Sequence, residues 1–401
     1  MPKPATSADI LAIIQSANAS RTPLEIIGHG SKRRIGAPVE AAEILDLSKL
    51  TGINFYEPEE LVLSAKAGTP LAEIEKLLAK HGQELAFEPM DYAPLLGGKS
   101  RKGGKSGTIG GVLATNAAGP RRLKTGAARD HILGIEAVTG RGDLFKSGGR
   151  VMKNVTGYDL SKGMAGSWGT LAVLTDVTFK VLPAAVTEMT LVLPGLDDAQ
   201  ASVAMAVAMG SNAEVSSAAH LPYTVAGAVL GGALKGEPAT LLRIEGFPKS
   251  VDYRISNLAK LLKLKSETLA EKQSRTLWRE IRDVGPFADG TDRPVWRVSV
   301  APMSGHALVA DLRLHSGVDA FYDWQGGLVW LRMEDGEARA EQLRALVKKH
   351  GGGHATLVRA TPSIRVATPV FEPQPTALAA LSVRLKEQFD PKGILNPGRM
   401  G

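Results

Sequence analysis

The chain has 401 residues, 44% of them apolar and 22% charged, a balance that suits a soluble globular protein with room for two or three cores. Its formal charge of +7 is a modest excess, and it contains no cysteine, which excludes disulfides and cysteine-held iron–sulfur clusters within it. The N-terminus "MPKPATSADI" lacks the apolar segment of a secretory signal, no run approaches the roughly 20 apolar residues that span a bilayer, and the basic stretches lack interleaved aromatics. The expectation is a cytoplasmic protein that reaches the inner face of a membrane only through partners and binds no nucleic acid.

The first element, "SADILAIIQSA" (7–17), spaces its apolar residues as a helix behind a Ser/Asp start. A short buried strand, "LEII" (24–27), runs straight into the turn "GHGSKRRIG" (28–36). "AEILDL" (42–47) and "ELVLSAKAG" (60–68) predict strands. "TPLAEIEKLLAKHG" (69–82) then predicts a helix with Thr69 as cap, Pro70 in the first turn and Gly82 past its end. "ELAF" (84–87) reads as a further strand. Glycine density stays high from 107 to about 183, with strands "ILGIEAV" (132–138) and "LAVLTDVTFKVL" (171–182) before Pro183. Four strand–helix units follow, beginning at 187, 239, 295 and 326, and predict a mixed or antiparallel sheet with helices on one face. The tail "LAALSVRLKEQFDPKGILNPGRMG" (378–401) is a short helix and a Pro/Gly-rich end.

The glycine loops carry the chemistry. "GGKSRKGGKSGTIGG" (97–111) contains two copies of Gly-Lys-Ser, as a triphosphate-binding loop would. That loop also needs a glycine five residues before the Gly of Gly-Lys-Ser. Counting back from Gly104 gives Lys99 and from Gly98 gives Ala93, so neither copy completes the motif. Gly28-His29-Gly30-Ser31 directly follows a strand, where glycines allow a sharp turn and consecutive N–H groups can face an anion. It is not a dinucleotide G-x-G-x-x-G fingerprint, because Arg33 holds the third glycine position. "SGTIGGVLATNAAG" (106–119) is a second glycine turn leading into a short apolar stretch, so a pyrophosphate held between the two loops is physically sensible.

The order "GHGS", "GTIGGVLATNAAGPRR", "VMKNVTGYDL", "GSWGTLAVLT", "FDPKGILNPGRM" resembles flavoproteins of the vanillyl-alcohol oxidase type. More narrowly, "AGPRR", "ARDHILG", "GGRVMKNVTGYDLSKGMAGSWGTL" and "GGHATLVRA" resemble the FAD-binding subunit of bacterial glycolate oxidase, over nearly the whole chain. The resemblance implies an α+β fold: a two-part FAD-binding domain over 1–183, an α+β cap over 184–375 with helices on one face of a mostly antiparallel sheet, and a return to the FAD domain over 376–401. It implies that Gly28, His29, Gly30, Ser31 and Lys32 form the first pyrophosphate loop, and Gly107, Thr108, Ile109, Gly110 and Gly111 the second, with Thr115 and Asn116 close behind. Gly169, Thr170 and Val173 would pass the cofactor by backbone contacts, and Asn396-Pro397-Gly398 would return to it. Some relatives carry a histidine covalently bonded to the flavin where this chain has Ser31, so the FAD is expected to be non-covalent. "GGKSRKGGKS" reads as a lengthened basic loop that screens the pyrophosphate, docks a partner or is simply solvated.

Oxidation of a 2-hydroxy acid such as glycolate to glyoxylate needs cations for the carboxylate and a base for the hydroxyl. Arg297 in "VWRVSV", Arg332 in "LVWLRME" and Arg359 in "HATLVRA" are the candidate cations of the second domain, and His354 a candidate catalytic residue. His350 and His354 flank three glycines that disfavour the helix an i, i+4 metal pair would need, so no metal site is expected. Relatives that oxidise 2-hydroxy acids carry an "HGDGN"-type run where this chain has "HGGGHAT". Two readings stay open: a subunit whose own flavin oxidises the acid, and an FAD-bearing electron-transfer or scaffold subunit. In the family, the partners are a second flavin subunit and an iron–sulfur subunit.

Overall fold

A computed structural model describes residues 2–97, 107–150 and 157–400. Helix α1 (Ser7–Ser20) starts at Thr6, whose Oγ1 accepts from Asp9 N while the Asp9 carboxylate accepts from Thr6 N. Strands β1 (Leu24–Ile27) and β2 (Glu43–Asp46) pair in parallel. The chain continues through β3 (Ile53–Glu57), β4 (Val62–Lys66), α2 (Leu71–Ala79) and β5 (Gln83–Glu84) to α3 (Ile109–Ala114). Short helices α4 (Arg122–Thr125) and α5 (Ala128–His131) lead to β6 (Ile132–Thr139) and β7 (Leu144–Gly148). Then come α6 (Leu160–Met164), β8 (Ala172–Lys180) and β9 (Leu182–Pro183). Strands β3, β4, β8, β6 and β7, in that order, make a five-stranded antiparallel sheet; α2 and α3 pack on it through Leu71, Ile74, Ile109 and Leu113.

Two local expectations change here. Thr69 does not cap α2. Its fully buried hydroxyl donates to Gly52 O and accepts from Gly52 N, at 3.1 and 3.0 Å, and Pro70 precedes the helix without a side-chain cap. "ELAF" is strand only at Glu84, because the ribbon β5–β9 is two residues long. The half-exposed edge strand β3 adds to the predicted strands.

The second part is β10 (Thr187–Pro194), α7 (Asp198–Met209), β11 (Ser217–Leu221), α8 (Tyr223–Ala226), β12 (Ala239–Gly246), α9 (Pro248–Leu262), β13 (Glu267–Leu269) and α10 (Glu271–Arg282). It continues as β14 (Val295–Ser299), α11 (Gly305–Arg313), β15 (Val318–Asp323), β16 (Leu328–Met333), α12 (Ala340–Lys349) and β17 (His354–Arg359). The eight strands form one antiparallel sheet in the order β13-β10-β12-β11-β15-β16-β14-β17. Each half is a βαββαβ unit whose strands lie fourth, first, third, second, and the halves join through their second strands, β11 and β15. The four predicted strand–helix units are the two such pairs in each half.

Period-2 alternation splits the sheet into two faces. Leu191, Leu193, Leu242, Val298 and Leu331 point to the outer face, under α7, α9, α11 and α12. Val192, Leu241, Phe321 and Trp330 point inward, where they meet Trp278 of α10 and Ile35, Met90 and Leu95 of the first part. The inner face is tied across by Arg243, which donates to both Glu88 oxygens at 2.9 and 2.8 Å, and by Trp324 Nε1, which donates to Gly119 O at 3.0 Å. Helices α13 (Pro362–Ala367) and α14 (Thr376–Phe389) then lead to the tail, whose Ile394 and Leu395 join the core beside α1 and β1.

Candidate active site

Loop 28–32 leaves the end of β1 and faces the 107–111 turn that opens α3. The two line a cleft with Thr115, Trp168, Asn396 and Arg399. The glycines are there for space. A Cβ on Gly28 would lie 2.5 Å from Thr108 Oγ1, and one on Gly110 would meet Ala67 Cβ at 2.7 Å and Ala67 O at 2.8 Å. Gly30 holds φ +71°, a conformation that glycine adopts without strain. Lys32 Nζ stands 3.3 and 3.6 Å from where side chains on Gly107 and Gly111 would begin, and 5.9 Å from the centre of the Tyr92 ring. The cleft therefore offers bare backbone on both sides and an ammonium between them, which suits a pyrophosphate.

The remaining loop residues shape this cradle. Thr108 Oγ1 accepts from Gly111 N at 3.3 Å, Thr115 Oγ1 donates to Gly111 O at 2.8 Å, and Ile109 is buried beneath them. Asn116 holds φ +47° and accepts from Arg129 N at 2.9 Å. His29 and Ser31 line the cleft. Asn396 joins the two flanks: its Oδ1 accepts from Ile26 N at 2.7 Å and its Nδ2 donates to Trp168 O at 2.8 Å. A Cβ on Gly169 would stand 2.8 Å from that Nδ2. Thr170 accepts from Lys386 Nζ through its carbonyl, and Val173 is wholly buried in the core beneath. "GGKSRKGGKS" after Gly97, and "VMKNVT", lie outside the described residues.

Tyr92, beside Lys32, also interacts with Arg297 on the inner face of the large sheet. There the guanidinium groups of Arg122 and Arg297 stand 5.0 and 4.9 Å from the Trp324 ring centre. Arg122 comes from the first part of the chain and Arg297 from β14. Among the described residues neither forms an ion pair with a carboxylate, and burial pulls both guanidinium groups below their ordinary range. Two partly buried cations that form no such ion pair suit an anion. Beside them, Asp323 is 2% exposed and accepts from Trp324 N at 2.8 Å. Burial pushes its carboxyl up to about 7 against the pull of that N–H, with Glu88 adding to the rise. The turn that presents it is strained: Trp324 and Gln325 hold φ +50° and +61°.

The structure does not bring the other candidates here. Arg332 pairs with Asp289 at 2.8 Å and with Asp319, and Arg359 donates to Phe287 O at 2.6 Å and pairs with Asp289 at 3.0 Å. Both are spent on joining strands to the 285–293 turn. His354 is exposed at the start of the edge strand β17, opposite Ser299, and His350 pairs with Asp311 at 2.8 Å. Arg332→Met is thus expected to cost roughly 3 kcal/mol of stability, by leaving Asp319 buried without its cation. FAD content and flavin reduction should stay unchanged, as urea unfolding and the flavin spectrum would show. Arg122, Asp323 and Trp324 had no sequence signal as a group.

The FAD binding domain family matches residues 2–148. Over 395 residues the chain is 34% identical to glycolate oxidase subunit GlcE of Escherichia coli (strain K12), covering 98% of this chain and 96% of that one. The chain belongs to the glycolate oxidase FAD-subunit family. It is also 33% identical over 200 residues to a D-lactate dehydrogenase of Archaeoglobus fulgidus, covering 49% of this chain and 42% of that one. In fold it is similar to 4-ethylphenol oxidase from Gulosibacter chungangensis, with TM-score 0.70, 12% identity and coverage of 100% and 88%. It is likewise similar to alkyldihydroxyacetonephosphate synthase, with TM-score 0.68, 18% identity and coverage of 98% and 76%. This family member is an FAD-linked oxidoreductase with the expected α+β architecture, and the glycine cleft fits its cofactor. Among the described residues no helix is long and apolar enough to cross a membrane.

Gly110→Val is expected to abolish FAD retention and destabilise the chain by at least about 3 kcal/mol, because backbone blocks the new side chain on one side. Flavin absorbance of the purified variant and its unfolding midpoint are the checks.

Proposed function

We propose that this chain oxidises glycolate or a similar 2-hydroxy acid to the 2-oxo acid on its own flavin, as one subunit of a multi-chain oxidase. The observation that supports the reading is the pair Arg122 and Arg297, drawn from two parts of the chain onto one indole, with no ion pair to a carboxylate among the described residues. Gly28–Lys32 and Gly107–Gly111 would hold the pyrophosphate of a non-covalent FAD, with His29, Ser31, Asn116 and Gly169 alongside. When bound, FAD supplies the acceptor for the hydride that leaves the substrate α-carbon.

The chain's residues do the rest. Arg297 and Arg122 bind the carboxylate, each through charge-assisted hydrogen bonds. Asp323, whose Oδ1 is held by Trp324 N–H, takes the hydroxyl proton at Oδ2. An acid that titrates near neutrality is matched to that task. Trp324, Trp330 and the Trp168–Phe371 pair, with ring centres 5.3 Å apart, keep the surroundings apolar and the charges strong. The relatives' names support the substrate class and a multi-subunit assembly: GlcE above, and a glycolate oxidase subunit GlcD of Bacillus subtilis that is 30% identical over 189 residues, covering 47% of this chain and 38% of that one. With no cysteine of its own, the chain would hand electrons to an iron–sulfur subunit of that assembly. Anaerobic reduction of the purified chain by glycolate tests the reading, and separates it from an electron-relay role.

A further inference from the structure

The Arg243–Glu88 tie also lines a second cavity, of about 570 Å³, which shares no lining residue with the glycine cleft. Both parts of the chain contribute to it: Glu75, Gly82 and Glu84 from the first, and Arg275, Trp278 and Arg279 of α10 from the second. Buried polar groups are ordinarily satisfied, so those in the lining that are not point to what the cavity takes.

Glu88, Glu188 and Glu245 share the inner end with Arg121 and Arg243, and none of these side chains is more than 13% exposed. Both guanidinium groups are committed: Arg243 forks onto Glu88, and Arg121 is divided between Glu88 and Glu84. Arg282, also in the lining, forks onto Asp283 at 2.8 and 2.7 Å. Against burial, Arg243 and Arg121 hold the Glu88 carboxyl well below its ordinary range. At Glu188 burial prevails over Arg243, and the carboxyl rises. Glu188 Oε1 accepts from Ser274 Oγ at 2.6 Å, but Oε2 stands 3.8 and 4.0 Å from the Arg275 and Arg243 guanidinium groups. Glu245 lies 3.5 and 3.7 Å from Arg121 and Arg243, and among the described residues its carboxylate accepts no hydrogen bond. The inner end is therefore short of positive charge and of donors. The mouth offers the complement. Arg279 is exposed on α10 and forms no ion pair among the described residues; its Nε donates to Arg275 O at 3.1 Å.

We propose that this cavity binds a free α-amino acid, with its ammonium on Glu188 and Glu245 and its carboxylate on Arg279. A plain amine would leave Arg279 unused, and a simple anion would face the inner carboxylates. A metal ion is not served, because no group of three ligating side chains gathers among the described residues. Trp278 and Leu85 in the lining suit an apolar side chain, and the volume is that of a small-molecule site. A ligand held by both parts of the chain stabilises the seam between them.

The test uses the purified FAD-loaded chain, each of the standard α-amino acids in turn, ligand-observed NMR and thermal unfolding. At least one amino acid should bind saturably and raise the unfolding midpoint. Its decarboxylated amine and its N-acetyl derivative should each bind at least about ten-fold more weakly. Arg279→Met and Glu245→Gln should each weaken binding at least about ten-fold with FAD content unchanged. Arg279 is exposed, so its variant reads the site without disturbing the fold. Arg297→Met should leave binding as it is, which separates this cavity from the cations beside Trp324. Saturable binding by none of the amino acids would overturn the proposal, as would an amine or N-acetyl derivative that binds as tightly as the amino acid. Binding that survives Arg279→Met and is lost in Arg297→Met would give the ligand to the inner face of the sheet and overturn it too. None of these readouts uses glycolate oxidation, so this site and the proposed oxidation stand or fall separately.

Discussion

Asp323→Asn should slow reduction of the bound flavin by glycolate by about 10²–10⁴-fold, the range lost when a positioned base is removed. The same substitution should make the protein more stable at neutral and alkaline pH. The sign follows from the folded state holding the carboxyl at about 7, above the ordinary value of 3.8. Between roughly pH 4 and 7 the folded chain binds more protons at this site than the unfolded one, so wild-type stability falls as pH rises through that window. Below it Asp323 is neutral in both states and costs nothing. The amide removes the buried charge, so the variant's advantage should grow from pH 4 to pH 8 in urea unfolding curves. A variant that loses rate but gains no stability at pH 8 would show that Asp323 is not held as described. Unchanged reduction would remove it from the chemistry.

Arg297→Met should raise the glycolate concentration for half-maximal flavin reduction by about 10–100-fold, the value of a hydrogen bond to a charged group in a desolvated site. Arg297→Lys should recover part of this, since an ammonium keeps the charge but loses the planar fork. Oxalate binding, followed by its perturbation of the flavin spectrum, should weaken in parallel, which separates carboxylate recognition from damage to the redox step. Arg122→Met should behave alike, because both guanidinium groups stand about the same distance from the Trp324 ring. Equal oxalate affinity in wild type and both variants would place the carboxylate elsewhere.

The glycine loops that line the cleft were legible because their signal is local. Gly28 and Gly110 are glycine for reasons of space that a strand–glycine–turn pattern already announces, and the order of five motifs tied them to one family. The cations were legible only as a set. Arg297 and Arg332 sit in the similar contexts "VWRV" and "VWLRM", on paired strands whose register sets them two residues apart. What separates them is that Asp289 and Asp319 lie beside Arg332, while Arg297 meets Trp324, and no local pattern carries that. Asp323 is harder still, for its burial depends on a left-handed turn at Trp324 and Gln325 and on Gly119 O accepting the indole N–H across the two parts of the chain. His354 illustrates the opposite error: a motif-like histidine run whose residue the sheet edge leaves in solvent.

The most direct measurement is rapid anaerobic mixing of the purified FAD-loaded chain, alone, with glycolate, following the visible absorbance band of the flavin. The band should bleach without any partner, and Asp323→Asn and Arg297→Met should each slow the bleaching. A band that persists with the chain alone and bleaches only after partner subunits are added would contradict it, and would move substrate oxidation to another chain.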